Sequence, residues 1–106
     1  MMVEWKLWLD DQTWDPEIPK RHAPDDYIGA ASSLEAKKLV EMLGPPMFMS
    51  LDFDLGGDDT ARNFLNWLFY EYGSPIPPEY EIHSENIEGQ KDILSFMESW
   101  KKSLDL

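Results

Sequence analysis

Apolar positions along the chain follow two periods, and the way these alternate sets the expected architecture. Residues 33–43 place Ala36, Leu39, Val40 and Leu43 at i, i+3, i+4 and i+7, behind a Ser32-x-x-Glu35 capping box, and stop at Gly44-Pro45-Pro46. In residues 60–72 the stripe Ala61, Phe64, Leu65, Leu68, Phe69 and Tyr72 is unbroken. Asp58 or Asp59 is placed to cap its start, and Gly73 followed by Pro75 closes it. A third helix is predicted from Ile87 to Ser103, with Asn86 as N-cap and an apolar face of Ile93, Phe96, Met97, Trp100 and Leu104. Lys101 and Lys102 suit the negative end of its dipole.

The runs between these helices have the other period. Val3, Trp5, Leu7 and Leu9 alternate with Glu4, Lys6 and Trp8, and Met47–Leu51 is apolar except for Ser50, as in a buried parallel strand. Tyr80–His83 reads as a shorter strand, and Tyr27–Ala31 as a weak one that the helix after it requires. Strands alternating with amphipathic helices imply a mostly parallel sheet with right-handed crossovers. The expected fold is therefore α/β, an open flavodoxin-like parallel sheet of about four strands in the order 2-1-3-4 with three helices. Asp10–Asp25 lacks helical periodicity where a doubly wound fold would place its first crossover helix, so this long segment is expected to be a functional loop. With that helix missing, the last helix is expected to cross to the uncovered face of the sheet and to cover it with Met97 and Trp100.

Composition adds limits. At 106 residues, with 42% hydrophobic and 13% aromatic content, the chain has enough apolar area for one core, so residues 1–106 are expected to form one domain. It contains no Cys, which excludes a disulfide framework, a thiolate metal site and a Cys nucleophile. No apolar run reaches the ~20 residues of a membrane span, and the cytoplasm is the expected location. The formal net charge of −12 argues against direct binding of duplex nucleic acid, because phosphate contacts rely on Lys and Arg. An acidic chain can still approach phosphates through a bound divalent cation, or imitate nucleic acid in a partner's basic groove.

Ligands of open parallel sheets bind outside the carboxyl ends of the strands, near the point where strand order reverses. Those ends read Leu9-Asp10-Asp11, Ser50-Leu51-Asp52-Phe53-Asp54-Leu55-Gly56-Gly57 and Ile82-His83-Ser84-Glu85-Asn86. Carboxylates from Asp10, Asp11 and Asp52 on adjacent strand ends repel one another unless a proton or a cation intervenes. Mg²⁺ or another divalent cation suits such oxygen donors and leaves positions for a substrate phosphate. Asp54 serves either as a further metal ligand or as a cap for the next helix. His83 is the candidate general acid or base, or a phosphate donor through a ring N–H. Ser84 and Asn86 open a helix N-terminus that favours anions, with Asn86 also the N-cap. Gly56-Gly57 offers backbone amides for an anion nest. In the long loop, Arg21 within Lys20-Arg21-His22 is the cation placed to reach a phosphate, and Trp14 either stacks on a base or anchors the loop. Trp8 and Trp67 lie off the main stripes and mark a dimer patch or fill gaps.

Together "LDD", "SLDxDLG" and "HSxNxxG" resemble the cyclic-phosphate processing receiver-like domains, compact relatives of response-regulator receivers found in bacteria and phages. The resemblance covers nearly the whole chain. It implies a receiver-like fold, an acidic divalent-metal pocket, and binding or processing of cyclic phosphates on nucleotides or RNA 2′,3′-cyclic ends. By position, Asp10 and Asp11 match the metal-binding acidic pair, Asp52 the central aspartate, and His83, Ser84 and Asn86 the phosphate-side motif. The chain departs from the family in having Gln12-Thr13-Trp14 where an Arg commonly follows the acidic pair, and Phe53 where a His commonly lies between the later aspartates. Arg21 is the candidate replacement for that Arg. Asp52 and His83 would then be the catalytic residues of a metal-dependent phosphoesterase, if the site turns over. The alternative is a non-catalytic acidic interaction or inhibitor protein that mimics nucleic acid through Asp15, Glu17, Asp25, Asp26, Glu79, Glu81, Glu85 and Glu88.

Overall fold

The computed structural model describes residues 4–104, so Val3, assigned above to the first strand, lies outside the described residues. Among the described residues, β1 (Lys6–Leu9), β2 (Ile28–Ala30), β3 (Phe48–Leu51) and β4 (Glu79–Ile82) form one parallel sheet in the order β2-β1-β3-β4. Helix α1 spans Ser33–Leu43, α2 begins at Ala61, and α3 spans Ile87–Ser103. This is the flavodoxin-like α/β architecture that the alternating periods predict, and the receiver-like fold that the resemblance implies. No helix of the described residues is long and apolar enough to cross a membrane.

All three helices pack on one face of the sheet. Leu7, Leu9, Ala30, Met49 and Leu51 point into a single core with Ala36 and Val40 of α1, Phe64, Leu65 and Leu68 of α2, and Ile93, Met97 and Trp100 of α3. The expectation that α3 crosses to the other face is therefore corrected. Both β2-α1-β3 and β3-α2-β4 advance across the sheet in the same direction, so right-handed crossovers put α1 and α2 on the same side. Leaving β4, α3 settles beside α2, where Phe69 meets the Phe96 and Trp100 rings edge-on at 6.0 and 5.1 Å. The other face of the sheet is covered over β1 and β2 by the Asp10–Tyr27 loop. Here the Trp8 indole donates to the Arg21 carbonyl at 2.9 Å, and a Cβ on Gly29 would come 2.8 Å from Thr13 Oγ1. The close approach of the loop explains the glycine.

Helix ends differ in detail from their signals. Ser32 accepts the Glu35 amide as expected at the start of α1, but Glu35 Oε1 accepts from the Ala31 amide and the Trp14 indole. Thr60, not Asp58 or Asp59, is the N-cap residue of α2, and it makes no side-chain cap bond. Asp59 reaches to α1, accepting the Ser33 amide at 2.8 Å and its hydroxyl at 2.7 Å, while also accepting from Asn63 Nδ2 of α2 at 3.0 Å. The α-helical stretch of α2 ends at Asn66 and continues as π-helix over Trp67–Tyr72. The Gly73 amide reaches back five residues to Leu68 O at 3.1 Å, with Gly73 at φ 76°. Trp67 fills this turn against Phe64 and Tyr72.

Gly89 lies buried in the first turns of α3, and a Cβ there would stand 2.4 Å from Phe53 Cγ and 2.6 Å from Phe53 Cβ. Alanine in place of glycine ordinarily stabilises a helix by ~1 kcal/mol. The clash here involves atoms close to the Phe53 backbone, which have little room to yield. Gly89→Ala is therefore expected to destabilise the chain by about 1–3 kcal/mol, read as a lower midpoint in urea unfolding.

Candidate functional site

The strand register brings the site together. Leu9 pairs with Leu51 and Leu51 with Ile82, so the residues that follow, Asp10, Asp52 and His83, emerge at one level. The ladder continues through them: the Asp10 amide donates to Ala30 O, the Asp52 amide to Leu9 O and the His83 amide to Leu51 O, at 2.9–3.0 Å. Strand alternation turns their side chains to the face opposite the helices. There His83 stacks on Trp8, ring centroids 4.0 Å apart and planes 6° from parallel. The partner that Trp8 fits is thus a histidine of its own sheet.

Asp10, Asp11 and Asp52 each offer an oxygen within 4.8 Å of the others. Asp10 is fully buried, Asp52 nearly so and Asp11 exposed. Arg21 joins the cluster from the loop, its Nε donating to Asp10 Oδ2 at 2.6 Å and a terminal nitrogen to Asp52 Oδ2 at 2.9 Å. The loop holds this posture through a short Pro19–Arg21 helical turn, a His22 ring contact with the Asp15 carbonyl, and the Ala23 amide bonded to Thr13 Oγ1. Trp14, 60% exposed, lies over Gly29.

The electrostatics split the three acids. Burial pushes the Asp10 carboxyl up, but hydrogen bonds from His83, Arg21 and the Gln12 amide outweigh it and hold the group below the ordinary carboxylate range. Burial and the Asp10 charge push Asp52 up, against the pull of Arg21 and Ser84. Asp11, though exposed as a residue, is raised for the same two leading reasons, because its carboxyl is partly shielded from water and lies beside the Asp10 charge. One guanidinium thus faces three carboxylates whose charges are not fully balanced. A hard divalent cation suits this donor set of clustered carboxylate oxygens, one of them already exposed.

The remaining predicted residues lie around this centre. Asp54 is outside the close carboxylate group: it forms an isolated antiparallel bridge with Thr60 and accepts from Asn86 Nδ2 at 2.9 Å. Asn86 caps α3, its Oδ1 accepting the Gly89 amide at 3.0 Å. Ser84 is buried and accepts the Asn86 amide at 3.2 Å. Gly56 and Gly57, both at positive φ, turn the chain back toward α2, and Gly56 lies beside Asp11. Phe53 points to the helix side and packs on the core, so the position where the family commonly has a second histidine does not face the cluster. Ser50 and Glu81 were missed as site residues. Ser50 Oγ is 2.9 Å from both Glu81 Oε2 and His83 Nδ1, and the only sequence signal was a lone Ser in an apolar strand beside an acidic one.

No curated protein and no solved structure matches the chain. The family model described as the cyclic-phosphate processing receiver domain matches residues 5–99, a span that contains every strand, every helix core and the whole carboxylate cluster. The chain therefore belongs to the cyclic-phosphate processing receiver domain family.

Proposed function

We propose that this rim binds cyclic phosphates, those of cyclic nucleotides or of RNA 2′,3′-cyclic ends, and opens them as a metal-dependent phosphoesterase. The observation that carries the reading is the convergence of Asp10, Asp11 and Asp52 within 4.8 Å, with His83 Nε2 3.1 Å and Arg21 Nε 2.6 Å from the same Asp10 oxygen. Asp10, Asp11 and Asp52 would hold the cation, magnesium being the natural candidate, with Asp54 at the edge of the group. Such a cation supplies positive charge that offsets the carboxylates and polarises a phosphoryl oxygen.

The rest is the work of the chain's own groups. Arg21, mounted on a loop, exchanges its carboxylate partners for phosphate oxygens, which suit a guanidinium's paired donors. Ser84 and the first turn of α3 add donors on the phosphate side, with Asn86 holding that turn in shape. Water attacks phosphorus, the ring P–O bond breaks, and the proton the water loses passes to solvent. His83 is within one hydrogen bond of the cluster, and its Nε2 is the atom placed to donate a proton to the oxygen that leaves as the ring opens. The test is phosphorus NMR of 2′,3′- and 3′,5′-cyclic nucleotides with Mg²⁺ and with chelator. Ring opening that requires Mg²⁺ and is lost in His83→Gln is expected. Spectra unchanged in every sample would remove catalysis, and with no shift on titration, binding as well.

A further inference from the structure

Ser50 and Glu81 stand behind His83, further down the sheet from the rim, and they fix where its proton sits. Ser50 Oγ lies 2.9 Å from Glu81 Oε2 and 2.9 Å from His83 Nδ1. A carboxylate only accepts, so the single hydroxyl proton of Ser50 goes to Glu81. The Ser50 oxygen then presents only lone pairs to the imidazole, and Nδ1 must carry a proton to complete the bond.

The ring has little freedom to escape this arrangement. Trp8 lies flat against one of its faces, and Trp8 is itself tied by its indole N–H to the Arg21 carbonyl at 2.9 Å. The His83 amide is held in the sheet by Leu51 O, so ring and backbone are both located. Nε2 points at Asp10 Oδ2, 3.1 Å away, a carboxylate that likewise only accepts, so Nε2 carries the ring's other proton.

We infer that Ser50 and Glu81 are positioning residues, which hold a proton on His83 Nδ1 and so commit Nε2 to the carboxylate pocket. Which nitrogen of a histidine is free for chemistry is set by the hydrogen bond of the other. The use of Nε2 as donor to a phosphate ester rests on the function proposed above, whereas the location of the Nδ1 proton does not.

The experiment is nitrogen-resolved NMR of the imidazoles in ¹⁵N-labelled protein, with chelator and with Mg²⁺, using His22→Gln to assign His83. Nδ1 of His83 is expected to show the protonated signature in both conditions and to lose it in Ser50→Ala. Glu81 is exposed, so Glu81→Gln should leave the fold intact. Its amide can donate to Ser50, turning the hydroxyl proton toward the ring, and Nδ1 is expected to lose its proton while Nε2 keeps the one it donates to Asp10. An unprotonated Nδ1 in the wild-type chain, or an Nδ1 signal unchanged in Ser50→Ala, would overturn the inference. If Nδ1 is protonated as expected but cyclic nucleotides are neither bound nor opened, the phosphate reading fails and the positioning role stands.

Discussion

Asp10→Ala is expected to lose about 3 kcal/mol of folding stability, the low end of the range for removing one partner of a buried ion pair. Asp10 is fully buried and accepts from Arg21 Nε, His83 Nε2 and the Gln12 amide. Alanine leaves all three donors without that acceptor. The loss stays at the low end because Asp52 continues to accept from Arg21. Set against the ~5–15 kcal/mol of a typical domain, it should be plain in urea unfolding with chelator present. Asp10→Asn, which keeps an acceptor for Gln12, is expected to lose less. The pH dependence has a definite sign: the folded-state pKa of Asp10 is depressed, so its stabilisation is complete above the unfolded value near 4. It is lost as pH falls through the lower folded value. The gap between wild type and Asp10→Ala should therefore narrow on acidification below about pH 4.

Asp52→Asn should do two opposite things. In chelator at neutral pH it is expected to stabilise the chain by about 1 kcal/mol, as substitutions that relieve strained functional sites commonly do. Burial and the Asp10 charge raise the Asp52 pKa in the folded state, so folding favours its protonated form. The wild-type chain carries that penalty only above the unfolded carboxylate pKa, and the penalty grows as pH rises through the folded value. The advantage of Asn should accordingly vanish near pH 3, where the carboxyl is protonated in both states. With a divalent cation the order reverses. Loss of a direct ligand should weaken cation binding by more than the ~10–100-fold typical of losing an outer partner, so added Mg²⁺ should raise the melting temperature of the wild type and leave Asp52→Asn unmoved.

Much of this was legible because it depended on period and register. The stripes of 33–43 and 87–103 give α1 and α3 with their bounds, and the apolar runs ending in Asp10, Asp52 and His83 locate one rim, since parallel strands of one sheet end at one level. What escaped depended on contacts between distant segments. An α-helix and a π-helical turn share nearly the same apolar stripe, so nothing in Trp67–Tyr72 announced the change. The side of the sheet chosen by α3 follows from its packing beside α2, where Phe69 meets Phe96 and Trp100, a contact its own amphipathic face does not announce. Asp59 looked like a cap for its own helix, yet its carboxylate bonds to Ser33 in the first turn of α1, because the Gly56-Gly57 turn carries it there. Arg21 was one cation in an irregular loop, and its place between Asp10 and Asp52 depends on packing around Trp8, Thr13 and Gly29.

The most direct test of the acidic pocket is paramagnetic broadening of amide NMR signals by sub-stoichiometric Mn²⁺. Signals of Asp10, Asp11, Asp52 and His83 should broaden first in the wild-type chain, Mg²⁺ should restore them, and Asp52→Asn should leave them sharp at the same Mn²⁺ concentration. Broadening centred on outer acids such as Asp15, Glu17, Asp25 or Glu79, with the strand ends unaffected, would contradict a cation site at the rim.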